Sequence, residues 1–439
     1  MLSSVILLLV IGGLFVFANK RPIYGLMYYF GIRMMIPFSA RVFSLSFNTI
    51  SFFCLLLFLL PSLSSLYRSS DFIDKKYIRL VKNLMLAVFV LSIFSMVVPK
   101  SIQWSGLFQF FITEFLPSII LAIYLRKKED YQLFCKIIAC FGALFSLYAI
   151  YTYVYSSNPI FELFSTSNKV VKDLEEYATG RMGLTGIAVG IYDDKIACSL
   201  ICMLMSMFLY SAKLIPIKLR VISFCISVLA LFLTTQRTGL LCLLLFIVVD
   251  YFQKSKKTKI RLAFLFILGV LFYCLFMNNQ IIDDLFTMIF SVFSDNSSSK
   301  NAVEGSSMEM RLIQLSNCID YLDITNLIQG AGFGFVGYYY KYIWNIELLG
   351  NDSRFYGFES YLFQTVMNSG IIGVACWCCF FYKLLTLVKN NHSIDYFSFG
   401  LCYIIAILLT DASASFYLFF FLIVMNYKYY ILFKERTCS

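Results

Sequence analysis

Charged residues are scarce in this sequence. Asp, Glu, Lys and Arg make up 14% of its 439 residues, whereas a soluble globular domain has about a quarter. Hydrophobic residues make up 60% of the chain and aromatic residues 18%. This balance excludes an ordinary water-soluble globule and indicates a chain that folds in a non-aqueous solvent.

Motifs for several kinds of catalysis are also absent. The sequence has no P-loop, no His-Glu-x-x-His pair, no Asp-x-Asp pair in its long polar segments and no zinc-type cysteine spacing. Most of the cysteines lie inside apolar runs, which argues against a disulfide framework. The one histidine, His392, falls in a loop predicted to face the cytoplasm. We therefore expect no metal, no cofactor and no catalytic histidine on the outer side of the membrane.

What the sequence does contain is a succession of apolar runs of about 17–25 residues, the length that crosses a ~30 Å hydrocarbon core as a helix. Their continuity favours helices over barrel strands. The pattern predicts an all-α, polytopic transmembrane helix bundle of about 12–14 spans, folded as a single membrane domain over residues 1–439. The first run lacks a basic region before it, so it is predicted to be a retained helix, and the second is interrupted by Arg33. The predicted spans are 2–18, 22–38, 43–66, 83–98, 106–125, 132–156, 196–212, 217–235, 239–253, 262–278, 357–387, 396–410 and 413–433.

Lysine and arginine are concentrated in alternate short loops, which predicts the side of the membrane on which each loop lies. The basic loops at 68–82, 126–136, 213–220 and 254–261, together with the C-terminus, are assigned to the cytoplasm. Two longer loops, 157–195 and 279–356, then lie on the outer side. The formal net charge of +11 reflects this topology, and we expect no binding of nucleic acid.

Arginines near the outer side are the first candidates for a site. Arg237 lies at the outer mouth between two spans, Arg181 lies just before a span, and Arg311 and Arg354 lie in the second long loop. A guanidinium stays charged and grips a phosphate with two parallel N–H donors, so this set indicates binding of a diphosphate. The structural alternatives are snorkelling of Arg237 to lipid headgroups and salt bridges to loop acids such as Glu309.

Glu359 is the candidate for acid–base chemistry. It is predicted to lie near the start of the helix that follows the second long loop, where the helix dipole stabilises an anion. We interpret it either as a capping carboxylate or as a general base that deprotonates a hydroxyl group.

In their order along the chain, these features resemble the Wzy-type O-antigen polymerases and the related O-antigen ligases. The likeness rests on many spans followed by a large late outer loop, and on the motifs Arg181-x-Gly183, Gln236-Arg237 and Arg311. It also rests on a predicted Gly332-x-Gly334 turn within the glycine cluster at residues 330–334, and on a helix that Glu359 opens and Gly370-x-x-Gly373 ends. The resemblance implies a GT-C-like helix bundle in the bacterial inner membrane, with two periplasmic loops and an active site on the periplasmic face. Ligases of this superfamily show a His-Asn pair where this sequence reads Glu359-Ser360, which favours a polymerase.

By this resemblance, the protein transfers a growing glycan from undecaprenyl diphosphate onto a new lipid-linked repeat unit. Arg181, Arg237 and Arg311, with Arg354 as a further candidate, would bind diphosphate, and Glu359 would activate the acceptor hydroxyl. Six aromatic residues of the second long loop would stack on sugars, although a packed cap is the favoured interpretation for most of them: Phe333, Phe335, Tyr338, Tyr339, Tyr340 and Trp344. The implied partners are the lipid-linked repeat units and the bilayer, and a chain-length regulator protein is a further candidate. The alternatives are an O-antigen ligase, a structural or sensory membrane protein, and a lipid-linked oligosaccharide flippase, which is expected to carry charges deep within its spans.

Overall fold

The described part of the chain folds almost entirely into α-helices, because in lipid a helix satisfies the backbone N–H and C=O groups of its own segment. The computed structural model describes residues 2–42, 45–164, 188–212, 214–234, 236–253, 324–338, 360–389, 394–411 and 413–433, together with residues 316 and 322.

The helices of the first part of the chain are α1 (Leu2–Lys20), α2 (Pro22–Met35), α3 (Phe47–Arg68), α4 (Phe72–Phe94), α5 (Lys100–Phe110), α6 (Leu116–Tyr124), α7 (Lys128–Tyr155) and α8 (Pro159–Phe164). Those of the second part are α9 (Lys195–Ser211), α10 (Ile217–Leu233), α11 (Arg237–Gln253), α12 (Ile324–Gln329), α13 (Phe335–Tyr338), α14 (Tyr361–Lys389), α15 (Ile394–Leu409) and α16 (Phe416–Phe433). A π-helical turn, Phe111–Phe115, joins α5 to α6, and a 3-10 turn, Ser413–Ser415, precedes α16. Two short antiparallel strands, β1 (Arg41–Val42) and β2 (Leu45–Ser46), link α2 to α3, with Arg41 opposite Ser46.

Seven helical segments of the described chain are long and apolar enough to cross a membrane, which confirms the predicted all-α polytopic bundle. They are Ser3–Lys20, Phe47–Arg68, Phe72–Phe94, Lys100–Tyr124, Lys128–Tyr155, Tyr361–Leu387 and Ser413–Phe433. Several predicted boundaries are wrong. The helix of the span 83–98 already begins at Phe72 and ends at Phe94. The span 43–66 begins only at Phe47, because β2 occupies the preceding residues, and the span 357–387 becomes a helix only at Tyr361. The predicted span 262–278 lies outside the described residues.

The last helix, α16, is the centre of the bundle. Every residue from Phe416 to Lys428 is buried, and the helix contacts α6, α7, α9 and the π-helical turn. A helix that is apolar on all sides is expected in the interior and not at the lipid boundary. In the described part of the chain, α6, α7, α9, α15 and the π-helical turn therefore pack around α16.

Ionic contacts between helices mark the end of the bundle that the basic loops assign to the cytoplasm. Arg21 at the start of α2 pairs with Asp130 of α7 at 2.7 Å, and Lys428 of α16 pairs with Asp74 of α4 at 2.6 Å. The opposite end holds the β1–β2 hairpin and the starts of α11, α14 and α16.

The orientation itself is a prediction that reporter fusions can test. A green fluorescent protein fused to the C-terminus is expected to fluoresce, because that end is assigned to the cytoplasm. Alkaline phosphatase fused after Tyr192, in the first long loop, is expected to be active only outside. Activity of the phosphatase at the C-terminus would reverse the assignment.

Candidate functional site

The start of α14 is attached to the end of α15 at the predicted outer end of the bundle. Ser360 is the N-cap of α14: its Oγ accepts a hydrogen bond from Leu362 N at 3.2 Å and donates one to Leu408 O at 2.8 Å. Tyr361 N donates to Thr410 O at 3.2 Å. Ser360 is completely buried, so these contacts give it a structural role and hold the chain in place where α14 begins.

The predicted base, Glu359, lies outside the described residues, and its role stays a prediction. In the sequence it comes two positions before the first residue of α14, Tyr361, and not two residues after the start of a helix beginning at 357 as predicted. Its neighbour Ser360 is the residue whose main chain and side chain are tied to α15.

Arg237 is the first residue of α11 and its side chain is partly exposed. The helix α11 runs alongside α9 in the same direction: Gly239 packs against Ser199 near the start of both, and Tyr210 donates a hydrogen bond to Asp250 at 2.6 Å near their ends. Arg237 is therefore level with the start of α9 at the outer end. A guanidinium beside the free N–H groups of a helix start combines two features that attract a phosphate.

Two acidic residues that the sequence analysis did not single out lie at the same end. Asp194 caps α9 by accepting from Ile196 N at 2.8 Å, and Asp411 accepts from Ser413 N at 2.9 Å. Crowding by protein atoms raises the pKa of Asp194 to about 6, and the nearby Asp411 carboxylate adds to this shift. Because the Asp194 side chain is also reached by solvent, water weakens the effect. Both carboxylates act as caps, which accounts for their presence.

The glycine cluster docks into a kink of α14. At Gly370 the helix has φ 62° and ψ −167°, which bends it. The bend frees carbonyls of the preceding turn, and two of them accept hydrogen bonds from the glycine cluster: Met367 O from Ala331 N at 2.8 Å and Asn368 O from Gly332 N at 3.1 Å. Gly370-x-x-Gly373 therefore does not end this helix, which continues to Lys389. The kink at Gly370 exposes the carbonyls to which the loop binds.

Close backbone contact explains why glycines are needed at this junction. Gly330 has φ +83°, and a Cβ on it would overlap the backbone of Asn368 and Ser369. Gly332 has φ +123°, and a Cβ there would overlap Ser95 and Gln103. These conformations are strained for residues with a side chain. The tertiary contact thus accounts for two glycines of the predicted turn.

The predicted aromatic cap is packed where the structure describes it. Phe335 is completely buried, and the ring of Phe333 lies 5.7 Å from that of Phe110 in α5. The side chain of Asn368 also accepts a hydrogen bond from Phe335 N at 2.9 Å. For Phe333 and Phe335 these contacts favour the structural interpretation over stacking on sugars, whereas Tyr339, Tyr340 and Trp344 lie outside the described residues.

A buried ion pair near the outer end was not identified as a site from the sequence. Arg33 of α2 is 2% exposed, and its Nη2 lies 2.5 Å from Glu114 Oε1 in the π-helical turn. The second oxygen of Glu114 accepts from Tyr417 N at 2.8 Å. The Arg33 guanidinium lies 4.0 Å from the centroid of the Tyr417 ring, and Arg33 Nη1 donates to Thr113 O. The available signal was the presence of one ionisable residue in each of two predicted spans.

This pair also corrects the expected distribution of charge. The sequence predicted functional charges at the outer mouth, yet Arg33 and Glu114 are buried among the helices. They neutralise each other, and Tyr192 reinforces the region by donating to Arg33 O at 2.8 Å. Paired charges of this kind form a fixed contact between helices, and they do not by themselves form a path across the membrane.

Of the five predicted site residues, the structure describes Arg237, at the outer end. Arg181, Arg311, Arg354 and Glu359 lie outside the described residues, so their roles stay predictions. Among the described residues, no group of three or more His, Cys, Asp and Glu side chains is arranged to hold a metal ion.

Comparison with known proteins gives one family match. Residues 222–378 match the model of a family described as O-antigen ligase. No curated protein matches the chain. The matched region contains Arg237, the glycine cluster and the start of α14, and it also includes the sequence positions of Arg311, Arg354 and Glu359. This match supports a multi-pass membrane enzyme of the O-antigen ligase and polymerase superfamily, acting in glycan assembly, and it does not distinguish ligation from polymerisation.

Proposed function

We propose that this protein is an O-antigen or similar surface-polysaccharide polymerase of the bacterial inner membrane. It transfers the growing glycan from undecaprenyl diphosphate to a new lipid-linked repeat unit at the periplasmic face. The observation that carries the proposal is the family match over residues 222–378, because it includes α11 with Arg237, the docked glycine cluster and the start of α14. The helix starts of that region lie at the outer end of the bundle.

Arg237 binds the diphosphate of the donor in this proposal. The donor's leaving group is an anion, and negative charge develops on it as the bond to the sugar breaks. A guanidinium at the start of α11 stabilises that charge through N–H donors fixed in direction. Arg181, Arg311 and Arg354 are proposed to contribute further donors from the outer loops.

Glu359 is proposed as the general base. It accepts the proton of the acceptor hydroxyl while the hydroxyl oxygen forms a bond to the anomeric carbon of the donor sugar. The bond between that carbon and the diphosphate oxygen breaks, and undecaprenyl diphosphate leaves with the electron pair. A carboxylate rather than a histidine at this position favours transfer to a repeat unit, and the O-antigen ligase reaction is the second candidate.

Substitutions in cells test both roles. The gene is deleted, and the strain is complemented with wild type, Glu359→Gln or Arg237→Ala. A general base contributes about 10²–10⁴-fold to a rate, so Glu359→Gln is expected to reduce the lipopolysaccharide ladder to core plus a single repeat unit. Arg237→Ala should shorten the ladder strongly. Equal protein levels in the membrane are confirmed by immunoblot.

Arg220→Ala is the matched control, because Arg220 is an arginine of the adjacent helix α10 on the predicted cytoplasmic side. It should leave the ladder unchanged. An unchanged ladder in Glu359→Gln and Arg237→Ala would contradict the assigned site. If deletion removes even the single-repeat band, the protein is the ligase or a flippase and not the polymerase. Transfer of glycan to purified lipid A-core by the isolated protein would then identify the ligase.

A further inference from the structure

The Arg33–Glu114 ion pair is costly to bury, so its presence needs a reason beyond stability. Taking two charges out of water costs several kcal/mol per ion, and apolar residues of similar size often stabilise a fold equally well. Both residues are almost completely buried. What an apolar pair cannot supply is the acceptor oxygen that Glu114 presents to Tyr417 N at 2.8 Å.

That hydrogen bond holds the first turn of α16, where backbone N–H groups lack partners within their own helix. A carboxylate is favoured there by the helix dipole. The π-helical turn Phe111–Phe115 widens α5–α6 at the position of Glu114, and such turns are frequent at functional sites. Glu114 thus connects α2, through Arg33, with the start of α16.

The start of α16 is in turn linked to the start of α14. The ring of Phe416 lies 4.7 Å from that of Tyr361. Tyr361 N also donates to the carbonyl of Thr410, which precedes the 3-10 turn before α16 in the sequence. Ser360 is tied to Leu408 in the same region. Direct contacts of Phe416, Tyr361 and Thr410 therefore connect Tyr417 with Ser360. Ser360 is the residue that follows Glu359 in the sequence.

We infer that Glu114 is a positioning residue for glycosyl transfer: with its charge balanced by Arg33, it holds the first turn of α16 and through it the start of α14, the helix that follows Glu359 in the sequence. This inference rests on the proposed function. In the proposed reaction, Glu114 contacts no reacting atom. A shift of about 1 Å in a reacting group can lower a rate about 100-fold, so holding this junction still is a catalytic requirement.

Two double variants separate positioning from stability. Arg33→Met with Glu114→Gln, and Arg33→Met with Glu114→Met, both remove the buried charges. They differ only at the end of the side chain at position 114: Gln retains an oxygen that accepts from Tyr417 N, and Met does not. The Gln side chain buries an amide N–H₂ that the Met lacks, and the Met pair leaves Tyr417 N without its acceptor. Each pair therefore has one buried donor group to satisfy, so the two proteins should melt at similar temperatures.

The two double variants are expected to differ in activity. The Met pair should lose about tenfold or more in kcat, with an unchanged KM for the donor, while the Gln pair remains close to wild type. The assay uses purified protein in nanodiscs and lipid-linked repeat units extracted from the deletion strain, with chain length read on a gel. A residue with a purely structural role would lose activity only in proportion to lost stability.

The outcomes are distinct. A lower kcat in the Met pair at a similar Tm, with recovery in the Gln pair, supports the positioning role. Equal kcat in the two pairs overturns it, whether both equal wild type or both are reduced. If the wild-type protein itself forms no polymer from these repeat units, the proposed function fails, independently of Glu114.

Discussion

Gly330→Ala is expected to prevent assembly of the outer end of the bundle. The residue has φ +83°, and a methyl group on it would overlap the backbone of Asn368 and Ser369. The left-handed conformation costs about 1–2 kcal/mol for a residue with a side chain. Undocking also breaks the hydrogen bonds of Ala331 and Gly332 to α14, at about 1 kcal/mol each. We expect a fall of about 3 kcal/mol or more in stability, seen as a lower Tm in detergent and as lost polymer.

Gly337→Ala is the matched control, because it makes the same substitution seven residues later in α13, where an added Cβ meets no atom within 4 Å. Alanine favours a helix by about 1 kcal/mol over glycine, so the Tm of this variant should not fall. A Gly330→Ala protein with the Tm and activity of wild type would show that the glycine cluster does not dock into the kink at Gly370.

Lys428→Met is expected to have a comparable effect at the opposite end of the bundle. Lys428 and Asp74 are each 1% exposed, and their side chains pair at 2.6 Å. Removing the lysine leaves the carboxylate buried without its partner, which costs about 3–5 kcal/mol. The measurement is the Tm of the purified protein and its amount in the membrane. Because α16 is the central helix, loss of this contact should reduce folded protein as a whole.

Asp74→Asn in the Lys428→Met background should recover much of that loss, since no buried charge remains. Arg21→Met serves as a control, because Arg21 also pairs with a carboxylate, Asp130 at 2.7 Å, but its side chain is 39% exposed. The Asp130 side chain is 6% exposed, but solvent around Arg21 screens this pair, so Arg21→Met should lower the Tm less than Lys428→Met does. Equal effects of Lys428→Met and Arg21→Met would mean that burial of the Lys428–Asp74 pair has no energetic consequence.

The glycines show how much of the candidate site could be predicted from the sequence. The cluster Gly330–Gly334 was recognised as a turn, because glycine permits backbone conformations that other residues avoid. Its docking partner was not recognised: Gly370 appeared to mark the end of a helix, and it marks a kink whose carbonyls accept from the loop. Gly330 and Gly370 are 40 positions apart in the sequence, and they form one junction only because the loop packs against α14.

Arg33 shows the same limit for charge. In the sequence it only weakened the second predicted span, since a lone arginine in an apolar run is costly. Its partner Glu114 is 81 residues away, and no local pattern connects the two. Glu359, Arg181, Arg311 and Arg354 stay predictions that rest on resemblance and on the order of motifs along the chain.

The sequence alone was sufficient to predict the all-α membrane bundle and most of its helices. Each span is an apolar run of about 20 residues that must form its own backbone hydrogen bonds in lipid, so it can be recognised without its neighbours. The tertiary structure decided which helix is central, where α14 begins and bends, and that Arg33, Glu114 and Tyr417 meet. Those features depend on side chains far apart in the sequence, whose contacts arise only when the helices pack.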